Sequence, residues 1–315
     1  MGHGVKLFIF MLFLGKSILF RIGAFNLKVF GLKKAQDTEV IEHIVKIIQR
    51  YDIILLQEIR DSSGESITLL QTALNRGPNL KYDRVVSPRL GDSVSKEQYA
   101  FFYRRDSKIT VVSSYIYDDP QNTFEREPYI VKFNVPVTEF VLAGIHIRPS
   151  AAIEEIAALE TVQEDIVSRM KNTHILFLGD MNAECSYAPK YKLNEIPIRK
   201  SPSYHWLIDD NVDTTVSKGT DCAYDRFILY GDKFLSTVVK DSTGSFEFDK
   251  EFKLTDTQAI AVSDHYPIEL ELKTLSSKSS ISTANSGPFI PYTMFSTMCL
   301  GTAICSCIYC FRGRR

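Results

Sequence analysis

Apolar residues fall along this chain in two rhythms. Between positions 39 and 50 they recur as Val40, Ile41, Ile44, Val45, Ile47 and Ile48, the spacing of one face of a helix. Residues 66–75, closed by Gly77-Pro78, and residues 151–170 read the same way. The second rhythm is the short apolar run of a buried strand. It predicts strands over 21–25, 52–56, 82–86, 99–103, 109–115, 129–133, 140–145, 175–178, 204–208, 226–230 and 267–272. So many strands exceed what one open sheet holds. The expected fold is therefore α/β: two mixed sheets packed face to face with helices outside, a four-layer α/β/β/α sandwich. No internal repeat of fixed period occurs, and no domain boundary is seen before Thr274.

Polar residues gather at the ends of these runs. Asn26, Glu58, His146, Asp180 and Asn182 stand at their exits, and Glu97, Asp225, Asp264 and His265 stand just before runs. Taken alone, Gly179-Asp180-Met181-Asn182 is more simply an Asx turn closing a strand, and a lone histidine such as His146 is more often structural. In a mixed sheet, however, the start of an antiparallel strand lies at the same edge as the end of its neighbour. One rim can thus collect oxygen ligands for a hard cation, two imidazoles for proton transfer and carboxylates to orient them. That combination points to phosphodiester chemistry with a divalent metal.

Composition narrows the reading further. A chain with 44% hydrophobic and 24% charged residues is an ordinary folded protein, which excludes intrinsic disorder. The formal net charge of −1 offers no overall attraction to a polyanion, so a polyanionic substrate needs a local basic patch. At the N-terminus, Lys6, the apolar run 7–14 and Gly15-Lys16-Ser17 predict a signal peptide over 1–17, with an N-terminal membrane anchor as the alternative. A Ser-rich linker over 274–288 precedes a tail, 289–315, that carries no charge before Arg312-Gly313-Arg314-Arg315. The tail is long enough to span a bilayer, which makes it a candidate membrane anchor, and a free tail is the alternative. Cys299, Cys305, Cys307 and Cys310 lie in it, leaving Cys185 and Cys222 in the body as either one disulfide or two buried thiols. These features place the protein in the secretory pathway, secreted or membrane-tethered.

The motifs Ala24-Phe25-Asn26, Leu56-Gln57-Glu58-Ile59-Arg60, Arg126-Glu127-Pro128 and Gly179-Asp180-Met181-Asn182-Ala183 occur in an informative order. They are followed by Asp213-Thr214-Thr215, Cys222-Ala223-Tyr224-Asp225-Arg226 and Ser263-Asp264-His265-Tyr266-Pro267. Together they resemble the deoxyribonuclease I family over residues 21–273, and the domain 18–273 is read as its catalytic domain. The resemblance implies an α/β sandwich and a metal-dependent endonuclease that leaves 5′-phosphate and 3′-hydroxyl ends. Glu58 resembles the main ligand of Mg²⁺ (or Mn²⁺) or of Ca²⁺, assisted by Asn26, Asp180, Asn182 and Asp264. His146 would pair with Glu97 and His265 with Asp225. One imidazole would take a proton from water while the other protonates the leaving 3′ oxygen, in an order left open. Arg60 and Arg126 resemble DNA contacts. Structural Ca²⁺ is implied at Asp119, Phe124 and Glu127, and again at Asp213 and Thr215. Cys185 and Cys222 match the family's disulfide. A monomer acting on DNA is implied.

Ser95 departs from the tyrosine that family members cutting duplex DNA often carry two residues before the glutamate, here Glu97. Two rival readings stand beside this one. The first is a sphingomyelinase-like or phosphoinositide phosphodiesterase of the same superfamily, and the second is a non-catalytic, membrane-displayed binding protein.

Overall fold

The computed structural model describes residues 19–78 and 81–273. The signal peptide, the Ser-rich linker and the apolar tail read from the sequence lie outside the described residues. Among the described residues no helix is long and apolar enough to cross a membrane.

Among the described residues, twelve strands build two six-stranded sheets. In chain order they are β1 (Leu19–Phe30), β2 (Ile53–Ile59), β3 (Tyr82–Val86), β4 (Gln98–Arg104), β5 (Thr110–Ile116) and β6 (Tyr129–Asn134). There follow β7 (Glu139–Gly144), β8 (Ile175–Asp180), β9 (Tyr204–Trp206), β10 (Asp225–Tyr230), β11 (Gly244–Ser245) and β12 (Ile268–Lys273). One sheet runs β11-β12-β1-β2-β4-β3 and the other β5-β6-β7-β8-β10-β9. Each has a parallel centre, β1 beside β2 and β7 beside β8, flanked by antiparallel strands.

The period-2 geometry of a strand explains the layers. Ile53 and Leu55 face the interior between the sheets with Phe101, Val131, Leu142, Leu176 and Leu270, while Ile54 and Leu56 face outward. Buried on both faces, such strands read as unbroken apolar runs. Outside the first sheet lies the helix Thr38–Ile48, whose Asp37 side chain caps the Val40 N–H at 3.1 Å and whose Ile44, Ile47 and Ile48 are buried. Outside the second lies Ala152–Met170, burying Ile156, Leu159, Val162 and Ile166. The four-layer sandwich is the fold expected from the strand count.

Two strand ends differ from expectation by the most. Rather than stopping at Phe25 and Leu56, β1 continues to Phe30 and β2 to Ile59, with a register shift between Asn26 and Phe30. There Lys28, Val29 and Glu58 adopt left-handed backbone, φ 47°, 52° and 58°. Asn26 and Glu58 therefore sit within a bulge, a feature that re-aims side chains at a sheet rim. The short strand β11 and the helices Phe248–Phe252 and Asp256–Val262 also lie beyond the sequence prediction. They are too brief to show a period.

Candidate functional site

The rim where β1, β2, β7 and β8 end is also where β4, β10 and β12 begin. Asp180, the last residue of β8, is the cross-strand partner of Asp225, the first of β10. Gly179 makes this junction feasible. Its φ is 131°, and a Cβ there would lie 2.3 Å from the Ile145 carbonyl oxygen. Gln57 locks the two sheets together at the same point. Its amide donates to that carbonyl at 2.7 Å, and its oxygen accepts from the Asp180 N–H at 3.1 Å.

Asp180 is the hub of the site. Its Oδ2 accepts from Asn26 Nδ2 at 3.1 Å and lies 3.5 Å from Nε2 of both His146 and His265. Behind each imidazole stands a carboxylate: Glu97 Oε2 is 2.8 Å from His146 Nδ1, and Asp225 Oδ2 is 2.8 Å from His265 Nδ1. An ionised carboxylate only accepts, so in each pair Nδ1 carries the proton and Nε2 faces the hub. Asn182 donates its side-chain amide to the Ile147 carbonyl at 2.9 Å, and its backbone N–H to Asp180 Oδ1 at 3.0 Å. It thereby lines the same cleft.

The electrostatics follow from burial and charge. Burial alone would lower the pKa of His265, but Asp225 and Asp180 outweigh it and raise the value to about 10. Burial pushes the Asp180 carboxyl up, and the two histidines more than reverse this, holding it below its usual value. Asp225, wholly buried, is raised by desolvation. Glu97 is also desolvated, yet His146, Arg126 and Arg60 bring it below its usual value.

Glu58 and Asp180 are joined by one amide, since Asn26 Nδ2 donates to Glu58 Oε1 at 3.1 Å as well as to Asp180. Asn26 Oδ1 is taken by the Lys28 N–H at 2.9 Å. Asn26 thus presents its amide nitrogen to both carboxylates and bridges them. Asp264 has its Oδ2 in an ion pair with Lys28 at 3.0 Å. One further group of potential ligands, Asp180, Asp225 and His265, has ligand atoms within 4.8 Å of one another. We read this group as a histidine–carboxylate pair facing the hub, because Asp225 is fully buried and already bonded to His265. The two-carboxylate set of Glu58 and Asp180 has the all-oxygen chemistry of a hard divalent cation, and the residues fit one.

The expected DNA contacts are placed differently from one another. Arg60 remains partly exposed, with Nη2 3.1 Å from Glu97 Oε1. Arg126 is buried, its Nε donating to the His146 carbonyl at 3.1 Å and lying 3.6 Å from Glu97 Oε2. It is thus built into the support of the His146–Glu97 pair. Ser95 lies on an exposed loop before Glu97.

Neither proposed calcium loop joins this cluster. Asp119 Oδ2 accepts from the Phe124 N–H at 2.8 Å, and Glu127 is half-buried nearby in sequence. Asp213 Oδ1 accepts from the N–H and hydroxyl of Thr215 at 2.9 and 2.7 Å. The disulfide is formed between Cys185 and Cys222, Cα atoms 6.0 Å apart, tying the segment after Asn182 to the segment before Asp225.

Several supports escaped the sequence reading. Tyr99 accepts the His146 N–H at 2.8 Å, and Ser263 donates to the Asn26 carbonyl at 2.6 Å. Thr214 accepts from the N–H groups of Tyr224 and Asp225 at 3.0 and 3.2 Å. Gln57, Thr214 and Ser263 stand in the motifs quoted above, but nothing in the sequence shows what their side chains hold.

Comparison with known proteins places this geometry. The profile of the Endonuclease/Exonuclease/phosphatase family matches residues 23–265. Deoxyribonuclease gamma of Homo sapiens is 41% identical over 276 residues, spanning 85% of this chain and 90% of the relative. Deoxyribonuclease-1 of Sus scrofa is 41% identical over 265 residues, 82% and 93% of the two chains. Among solved structures, D. rerio TDP2 complexed with a single-strand DNA product superposes with a TM-score of 0.54 at 15% identity, covering 81% of this chain and 99% of that one. At that identity the likeness establishes the fold alone.

Proposed function

Because this chain belongs to the deoxyribonuclease I family, within the endonuclease/exonuclease/phosphatase family, we propose that it is a divalent-metal-dependent deoxyribonuclease. It would cut DNA phosphodiester bonds internally to leave 5′-phosphate and 3′-hydroxyl ends. The observation that carries this reading is the convergence of two histidine–carboxylate pairs on one oxygen of Asp180.

A phosphate seated over Asp180 would have an imidazole on either side. His265, protonated at neutral pH by virtue of Asp225 and Asp180, is suited to donate a proton to the leaving 3′ oxygen. His146, oriented by Glu97, is then the group that accepts a proton from the attacking water. Asn182 borders the phosphate position. Glu58 and Asp180 would hold Mg²⁺ or Mn²⁺, which supplies positive charge opposite the phosphate oxygens. Arg60, partly exposed beside Glu97, is the cation for backbone phosphates. Structural Ca²⁺ at Asp119, Phe124 and Glu127, and at Asp213 and Thr215, is supported by the family resemblance of those loops.

The Cys185–Cys222 disulfide supports an oxidising compartment, in keeping with export. Membrane attachment through the tail belongs to the same proposal, as does a monomeric state.

Plasmid nicking tests the reading. We expect nicks with Mg²⁺ that a DNA ligase reseals, which requires a 5′-phosphate beside a 3′-hydroxyl, and none with EDTA. Full activity in EDTA would overturn the metal dependence, and nicks that ligase cannot seal would overturn the bond assignment.

A further inference from the structure

Glu58 is held by two donors, and both depend on the turn in β1. Val29 N–H donates to Glu58 Oε2 at 2.8 Å. Lys28 N–H occupies Asn26 Oδ1 at 2.9 Å, which orients the Asn26 amide toward Glu58 Oε1 at 3.1 Å. Lys28 and Val29 make these contacts only because both are left-handed, φ 47° and 52°. Two consecutive non-glycine residues in that region, one of them β-branched, persist where the surroundings over-determine them.

Lys34 supplies that constraint. The side chain reaches back from the short helix Leu32–Ala35, half-buried, and its Nζ donates to the Leu27 carbonyl at 2.7 Å and the Lys28 carbonyl at 3.1 Å. An ammonium directed at two successive carbonyls pins the peptide planes on either side of the turn. The next residue along, Val29, is the one whose N–H meets Glu58. We propose that Lys34 is a positioning residue: it fixes the left-handed turn that aims both donors at Glu58, and so sets the site's affinity for its divalent cation. This rests on the reading of Glu58 as a cation ligand.

The test measures cation binding without DNA. Mn²⁺ is titrated by electron paramagnetic resonance into the full chain and its Lys34→Met, Lys34→Gln and Lys34→Arg variants, with the exposed neighbour Lys33→Met as control. Removing an outer support of a ligand typically weakens a metal site about 10-fold or more. We expect that loss for Lys34→Met and Lys34→Gln, partial recovery for Lys34→Arg, and no change for Lys33→Met. In nicking assays the Mg²⁺ needed for half-maximal rate should rise in parallel, while KM for DNA at saturating Mg²⁺ stays within about 2-fold, since Lys34 touches no substrate position. Thermal melts identify any variant that fails to fold, and the remaining substitutions then carry the comparison. Folded Lys34→Met or Lys34→Gln protein that binds Mn²⁺ as tightly as the parent overturns the inference while leaving the cation site intact. A parent that binds no Mn²⁺ overturns the cation site itself, and this inference with it.

Discussion

Nε2 of His146 and Nε2 of His265 stand at the same distance, 3.5 Å, from one oxygen of Asp180, although the two histidines are carried by different sheets. The sandwich brings them there by ending the parallel pair β7–β8 at the rim where antiparallel β12 begins. With a buried carboxylate behind each ring, the pair can transfer protons on both sides of a phosphate placed between them.

Removing either ring should therefore abolish the chemistry and spare the fold. We expect His146→Ala and His265→Ala each to lower the nicking rate by about 10²–10⁴-fold, the usual contribution of a positioned acid or base. DNA affinity and circular dichroism should stay near those of the parent. Parent-like nicking by His146→Ala would favour the binding-protein reading.

The charge on His265 also predicts a pH effect on stability. Its folded pKa is about 10, against about 6.5 in an unfolded chain. The folded state thus binds more protons than the unfolded one between those values. The stabilisation is complete below about pH 6.5 and is lost as pH rises toward 10. With chelator present, the parent should lose melting temperature over that window faster than His265→Gln. Parallel curves for the two proteins would remove Asp225 and Asp180 as the source of the charge.

Much of this site was visible along the chain, for a physical reason. Strands buried on both faces leave unbroken apolar runs, so a charged residue abutting one, such as Asp180 or His146, is conspicuous. The bulge was not visible, because left-handed backbone at Lys28, Val29 and Glu58 has no glycine to announce it. The sense of the Asn26 amide was equally hidden, being set by a backbone N–H two residues on. Arg126, expected as a DNA contact, is buried against Glu97, a placement that its position in the Arg-Glu-Pro motif does not reveal. A one-dimensional pattern records burial well and records who faces whom across two sheets poorly.

Gly179 offers a sharp test of the rim's backbone. A methyl group there would meet the Ile145 carbonyl oxygen at 2.3 Å and the Gln57 amide at 2.7 Å, at a φ that side chains rarely adopt. The neighbours are a main chain and a locked bridge, so neither can yield. Gly179→Ala should cost roughly 3 kcal/mol or more of stability and displace Asp180. Urea unfolding of a soluble, fully active Gly179→Ala protein with an unshifted midpoint would contradict the packing described.

The disulfide should stabilise mainly by shortening the unfolded chain's freedom. With Cys185 and Cys222 37 positions apart, the loop-entropy relation gives about 3–4 kcal/mol. Cys185→Ser with Cys222→Ser should lower the melting temperature accordingly and, because the bridge joins the segments beside Asn182 and Asp225, lower nicking at 37 °C more than at 10 °C. An unchanged melting curve would show that the bridge contributes nothing.

Glu155 gives a prediction remote from the chemistry. It is wholly buried, with Oε1 accepting from the N–H groups of Glu125 and Arg148 at 3.4 Å each, while Oε2 has no partner. Burial raises its pKa to about 7 against these weaker opposing contacts. An acid with a raised folded pKa keeps its proton in the folded state after the unfolded chain has released it. Stability therefore falls as pH rises from about 4.3, the unfolded value, to about 7, and stays lower above that. Glu155→Gln is neutral at every pH and escapes the penalty. Its melting temperature should match the parent's near pH 4 and exceed it by a few degrees at pH 8. A variant that is less stable than the parent at pH 8 would mean that the ionised carboxylate is held favourably, by Arg148 at 4.0 Å, and that the unpartnered oxygen costs the fold nothing.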